Sequence, residues 1–231
     1  LDEGERTVAP FLWSNHESKL DVLMLTHPDS DHIGGATYIL EHFRVGSVVL
    51  GPEPFGGTLE DDVLAACERR GVPVRRLARG DAFDLGGARV EILHPTAQLR
   101  PGMSENDRSL VARVRWDGFS MLLTGDVERQ AEQQLIGLGP RASVIKVPHH
   151  GSITSSSEAF IDAVQPSVAV VSVGARGRRS VLSPEVVGRY ASRGVTVLRT
   201  DVVGGVRIRP LSDARIRVEP ARLERGYITR E

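Results

Sequence analysis

The stretch His27-Pro28-Asp29-Ser30-Asp31-His32-Ile33-Gly34-Gly35 constrains this chain more than any other. Two imidazoles and two carboxylates fall within six positions, and a glycine pair follows. The run before it, Leu20-Asp21-Val22-Leu23-Met24-Leu25-Thr26, reads as a buried strand. The polar cluster therefore sits in a loop at a strand's end, where side chains from distant stretches can converge. His and Asp are natural ligands for zinc or manganese. The pattern predicts a layered α/β domain with a metal-dependent hydrolase site.

The rest of the chain agrees with a layered domain, because short β-rich runs alternate with helical spacing. Helices are expected over Gly35 to Phe43, Leu59 to Arg70, from Val127, Ser157 to Val164 and Pro184 to Arg193. Strands are expected at Ser47 to Leu50, Arg89 to Leu93, Ser143 to Val147, Val168 to Val173 and Val195 to Arg199. Leu110 to Trp116 and Phe119 to Thr124 flank Asp117-Gly118 and read as a hairpin. Gly205 to Arg209 and Arg215 to Val218 read as late edge strands. We expect one hydrolase domain over 1–210 and an Arg-rich peripheral extension over 211–231.

Composition narrows the function classes. A length of 231 residues with 40% hydrophobic and 26% charged residues is ordinary for a globular domain. The net charge of −1 does not advertise a nucleic-acid partner, so local basic clusters must carry that role. Arg69-Arg70 with Arg75, Arg76 and Arg79, and Arg176, Arg178 and Arg179, are the clusters available. No run of 18 apolar residues is present, and the first six residues do not form a signal peptide. Cys67 is the one cysteine, which excludes internal disulfides and a thiolate cage, and we read it as a small buried apolar group.

Three strand ends carry the chemistry. The first supplies His27, Asp29, Asp31 and His32. Alternation along an extended loop would place His27 and Asp29 on one metal, and Asp31 and His32 on a second. The second is Leu122-Leu123-Thr124-Gly125-Asp126, which delivers a carboxylate able to bridge two cations, or to cap the helix that follows. The third is Lys146-Val147-Pro148-His149-His150-Gly151-Ser152. Adjacent histidines cannot face one metal equally from an extended chain. His149 is the expected ligand, with His150 contacting substrate or a neighbouring carboxylate. Ser152 and Ser155-Ser156-Ser157 open a helix whose N-terminus would suit a phosphate. Lys146 either enters the pocket as a phosphate anchor or points into solvent. Asn106 and Ser109 are candidate substrate contacts, and His94 a rim residue. His16 and His42 read as surface or packing histidines.

Together these motifs resemble the metallo-β-lactamase superfamily. Its usual signature is His-x-His-x-Asp-His, and here Asp29 stands where the second His is usual. Thr26 to Gly35, Leu123 to Asp126 and Lys146 to Ser152 are most similar to the soluble hydrolase domain of the ComEC family of DNA-uptake channel proteins. The likeness extends through Ser172-Val173-Gly174 and Arg199-Thr200-Asp201. It implies an αββα sandwich, two divalent cations (Mn²⁺ or Zn²⁺) and phosphodiesterase or nuclease activity. Single-stranded DNA would be the substrate and a membrane channel of the same parent protein the partner. The domain would then be attached to the membrane and face outside the cytoplasm.

The chain departs from the family in two places. It opens at Asp2-Glu3-Gly4, so the sandwich's first strands are expected to be missing. Val181 stands where a histidine is usual, with Arg178 and Arg179 beside it as replacement substrate contacts. The expected roles are Asp31 for orienting the attacking water and Asp126 for bridging. Lys146 or His150 would stabilise the departing oxygen. The harder ligand Asp29 favours manganese beside zinc. Two rival readings stand beside this one. One is a hydrolase of a lactone, thioester or β-lactam, separable by substrate panels. The other is a degenerate domain that binds DNA or a channel, separable by metal content.

Overall fold

Runs of consecutive apolar residues form strands buried on both faces, so neighbouring side chains enter different core layers. The computed structural model describes residues 2–99, 101–174, 182–211 and 216–221. A π-helical turn, Gly4–Val8, runs into α1 (Ala9–Ser14). The expected Leu20 to Thr26 strand is broken into β1 (Lys19–Leu20) and β2 (Leu23–Met24). α2 (Ser30–Ile33) and α3 (Ala36–His42) follow the His/Asp loop. β3 (Arg44–Val45), β4 (Val48–Leu50), α4 (Thr58–Arg70) and β5 (Val74–Arg76) complete the first half. α4 stops where expected, because Gly71 takes the left-handed conformation (φ 65°) that closes a helix C-terminus.

β2, β4 and β5 form a small parallel sheet in the order β2-β4-β5, and β1 pairs with β3. The large sheet begins with β6 (Ala82–Leu85), β7 (Ala88–His94), β8 (Val111–Trp116) and β9 (Phe119–Leu123), all antiparallel. After α5 (Arg129–Ile136), the strands β10 (Val144–Lys146), β11 (Val168–Val171) and β12 (Thr196–Arg199) add in parallel. α6 (Glu158–Val164) and α7 (Pro184–Ala191) make the crossovers. The seven strands run β12-β11-β10-β9-β8-β7-β6.

The apolar residues fall into layers that account for the architecture. Val49 of the small sheet meets Val90, Ile92, Leu110 and Ala112 of the large one. α2, α3 and α4 cover the small sheet's other face through Ile33, Leu40, Val63 and Ala66. α5, α6 and α7 cover the large sheet through Leu135, Phe160, Ile161 and Tyr190. The order helix, sheet, sheet, helix is the expected αββα sandwich.

Period-two alternation then splits the large sheet's faces. Ile145 and Ala169 point to α5–α7, while Val144 and Val168 point the other way. That second face is closed by α8 (Thr200–Val203) and by a hairpin of β13 (Val206–Pro210) and β14 (Ile216–Pro220). Ile208, Ile216 and Val218 pack there. So part of the segment read as a peripheral tail covers the sheet, and its alternating apolar residues are the reason.

Candidate metal centre

β2, β9 and β10 all deliver the expected motifs to one place. His27 is fully buried. Its Nε2 has no hydrogen-bond partner, whereas its Nδ1 lies 2.9 Å from Thr26 Oγ1. α2 folds the loop back, so His32 joins the same hydroxyl with Nδ1 at 3.4 Å. One hydroxyl oxygen can accept from both Nδ1–H groups, which holds both Nε2 atoms toward the cluster. Behind this loop Gly4 packs against Gly35, where a Cβ on Gly4 would stand 2.2 Å from the Gly35 carbonyl oxygen.

Asp126 closes the group. Its Oδ1 lies 3.2 Å from His32 Nε2, and its Oδ2 lies 3.3 Å from His150 Nε2. His150 Nε2 is also 3.2 Å from His32 Nε2 and 3.2 Å from Asp31 Oδ2. His150 Nδ1 donates to the Ser172 carbonyl at 2.7 Å, so Nε2 is left as the ring's lone pair when the ring is neutral. Two such lone pairs beside an unpartnered buried Nε2 and a carboxylate make a donor set that fits a divalent cation. Two triads have all their ligand atoms within 4.8 Å of one another: His27-His32-Asp126 and Asp31-His32-His150.

The electrostatics follow from this crowding. Burial pulls His27 down to about 4, and neighbouring His32 adds to the effect, so the ring is neutral at pH 7. Burial alone would raise Asp126. Hydrogen bonds from His150 and His32 and the charge of Lys146 outweigh it and hold the carboxyl well below the usual range. Its hydrogen bond to Asp126 raises His150 above an ordinary histidine.

Several expectations change on this geometry. His149 is not in the cluster. Both histidines are in the left-handed region (φ 44° for His149, φ 50° for His150), at roughly 1–2 kcal/mol each. This tight coil sends the two rings apart. His149 Nδ1 lies 3.2 Å from Glu128 Oε1 and 3.3 Å from Thr154 Oγ1, while His150 enters the cluster. Asp31 and His32 share a triad as expected, whereas His27 groups with His32 and Asp126 and not with Asp29. Asp29 stays at the mouth, half exposed, with Oδ2 3.6 Å from His27 Nε2.

Lys146 points inward but is already engaged. Its Nζ donates to the Gly125 carbonyl at 2.7 Å and to Asp126 Oδ1 at 2.9 Å. These two bonds tie the ammonium to the strand end that carries Asp126. Ser109 is fully buried, and its hydroxyl accepts from the Asp126 N–H at 3.1 Å, so it faces the strand end and not a substrate. Asn106 is half-buried in the 3-10 turn Asn106–Arg108. Ser152 is buried in its own turn, bonded to Thr154 at 3.0 Å.

The helix N-terminus proposed for phosphate is occupied. The buried Glu132 carboxylate accepts from the N–H groups of Ser156 and, at 2.9 Å, Ser157. Asp126 does not cap α5; Asp107 Oδ1 does, accepting from Glu128 N at 2.8 Å and Ala131 N at 3.1 Å. His94 is not on the rim but fully buried, with Nε2 2.7 Å from the Asp107 carbonyl. The basic run after α4 is largely spent internally. Arg69 pairs with Glu41, Arg76 with Glu60, Arg79 donates to the Leu93 carbonyl, and Arg75 lies 4.9 Å over the Phe83 ring. Arg176, Arg178, Arg179 and Val181 lie outside the described residues.

Thr26 and Ser172 lie inside the motifs read from the sequence, but nothing local shows that the Thr26 hydroxyl, Glu128 and the Ser172 carbonyl hold the histidine rings.

Comparison with known proteins adds to this geometry. A family model described as "Metallo-beta-lactamase superfamily" matches residues 3–175. The chain is 36% identical over 209 residues to ComE operon protein 3 of Bacillus subtilis (strain 168), covering 89% of this chain and 26% of that protein. It is 31% identical over 202 residues to competence protein ComA of Neisseria gonorrhoeae, covering 86% of this chain and 26% of that protein. It thus spans about a quarter of these relatives' length. Among solved structures it is similar to Igni18, a metallo hydrolase from Ignicoccus hospitalis. The TM-score is 0.53 at 17% identity, over 78% of this chain and 75% of that one.

Proposed function

The chain belongs to the metallo-beta-lactamase superfamily, and from that premise we propose that it is a metal-dependent phosphodiesterase that cuts DNA during uptake. The observation that carries the reading is the convergence of His27, His32, Asp126 and His150, with the buried His27 Nε2 left without a hydrogen-bond partner. His27, Asp31, His32, Asp126 and His150 would hold two divalent ions, manganese or zinc, with Asp29 at the mouth. Bound there, such ions lower the pKa of water and neutralise charge developing on a phosphoryl group.

The chain's own residues have separable tasks. Asp31, with a side chain 60% exposed, stands at the mouth, where it would orient the attacking water. Lys146 and Ser109 are positioning residues, fixing Asp126 from its side chain and its backbone. Ser172 fixes the His150 ring through its carbonyl. Support for DNA as substrate comes from the relatives, which are competence proteins. Arg178 and Arg179 are the proposed phosphate contacts.

The relatives' greater length supports a partner region in the same parent protein, and we assign that region as a membrane channel with this domain on its outer side. No helix among the described residues is long and apolar enough to cross a membrane itself.

The test is turnover of bis(p-nitrophenyl) phosphate and of single- and double-stranded DNA by chelated and metal-reloaded protein. Chelated protein should be inactive, and Mn²⁺ should restore it at least as well as Zn²⁺. Activity that survives in metal-free protein overturns the reading.

A further inference from the structure

The large sheet carries a second polar concavity, at the end away from the metal centre. Period-two alternation puts Arg113 and Arg115 on the same face as Val111, which packs with α5. α5 stops at Ile136, and an open shelf of about 580 Å³ lies beyond it, within the ~300–1,000 Å³ typical of ligand sites. The starts of β7 and β9, the end of β8 and the 139–141 loop border it.

Its charges are unevenly matched. Arg89, Arg113, Arg115 and Arg141 all line the shelf. Arg89 and Arg115 are direct cross-strand partners, and like charges so placed cost stability. Asp84 meets Arg89 with both oxygens at 3.2 Å, and Glu91 accepts from Arg113 at 2.8 Å. Arg115, with a side chain 59% exposed, comes only to 3.8 Å from that same Glu91. Arg141 has no ion pair among the described residues. Asp117, in the hairpin turn, is the remaining carboxylate of the lining. Trp116 adds an exposed indole beside these groups.

This combination selects among occupants. Planar guanidinium forks without a close carboxylate suit phosphate oxygens. An exposed indole next to them suits a flat π-face joined to that phosphate. An acidic peptide supplies charge but no such face. The shelf is open along one side, so a chain can run across it.

We propose that this shelf is a second contact for single-stranded nucleic acid. Arg115 and Arg141 hold a backbone phosphate, and Trp116 stacks on a neighbouring base. Ser120 in the shelf and Asp126 in the metal centre are separated by at most roughly 20 Å at the rise of a strand, so a strand cut at the centre would be gripped a few nucleotides away. That use rests on the phosphodiesterase reading above. Binding of a strand does not.

Fluorescence anisotropy of a labelled, mixed-sequence single-stranded oligodeoxynucleotide tests it, on the 231-residue chain in EDTA. The strand should bind. Its Kd should rise about tenfold or more in Arg115→Gln/Arg141→Gln, and about fivefold or more in Trp116→Leu. Arg6→Gln/Arg44→Gln removes the same charge from exposed positions elsewhere and should leave the Kd within about twofold. Thermal melts of each variant confirm the fold. The proposal fails if the wild-type chain does not bind, if folded shelf variants keep wild-type affinity, or if the Arg6/Arg44 variant loses as much. It fails equally if polyglutamate displaces the strand as readily as unlabelled strand does. The measurement needs neither metal nor turnover. Shelf-dependent binding by an inactive protein would sink the phosphodiesterase reading alone. An active protein whose shelf variants bind normally would sink the shelf alone.

Discussion

Two groups of buried polar side chains lie side by side at the strand ends, and they differ in how completely they are satisfied. In the first, Asp107 and Glu132 accept from the first N–H groups of α5 and from those just before α6. In the second, His27 Nε2 has no partner, and the Nε2 atoms of His32 and His150 face each other at 3.2 Å beside Asp126. A closed network is structure, because the protein itself supplies every partner. An open one that converges from three strands offers the donor set of a candidate cation site. Lack of a partner alone does not identify a site. His94 Nδ1 is buried without one too, yet no ligand triad includes it.

The difference can be broken most forcefully at the adjacent histidines. His150→Ala should strip bound metal and bring phosphodiester turnover down to background, whereas His149→Ala should keep most of its metal. Metal analysis of both purified variants checks this, and the opposite pattern would restore His149 as the ligand. Asp31→Ala should likewise abolish turnover while the melting transition persists.

His94 provides the next largest effect. Burial lowers it to about 4 from 6.5, so the folded protein refuses a proton that the unfolded chain accepts in between. The stability this lends is complete above pH 6.5 and is lost as the pH falls to about 4, up to roughly 3 kcal/mol. Urea titrations at pH 7 and pH 4.5 should show a smaller acid loss in His94→Gln than in wild type. Equal losses would mean that the ring titrates normally.

Smaller again is the closed network. Glu132→Ala leaves the Ser156 and Ser157 N–H groups unmet and should cost about 2 kcal/mol, read from the urea midpoint, while metal content holds. Ser109→Ala removes one hydrogen bond to the Asp126 backbone and should cost about 1 kcal/mol. Loss of metal in Glu132→Ala would show that the two groups are not separate after all.

The elements that were legible beforehand were those with a strong local period or a stop signal. α4 with Gly71 behind it, the β8–β9 hairpin and the β10 and β11 runs all matched within a few residues. β5 and β6 were missed, because their stabilising contacts come from elsewhere. Arg76 in β5 is bound by Glu60 and by the Gly51 and Glu53 carbonyls, and Phe83 in β6 lies under Arg75. The same applies to Ser109, Ser152 and Lys146. Each is a polar residue at a strand end, and nothing local distinguishes one facing a substrate from one bonded to its own chain.

The residue types and spacing of the His/Asp loop, Asp126 and the paired histidines already pointed to a layered α/β protein with a candidate metal site, since imidazoles and carboxylates gathered at successive strand ends are suited to hold a cation. Tertiary structure alone decided which nitrogen faces which carboxylate. That choice depends on two left-handed residues at His149 and His150 and on the Ser172 carbonyl, which accepts from His150 Nδ1. Backbone twist over so few residues is set by packing against distant strands, and neighbouring letters do not carry it.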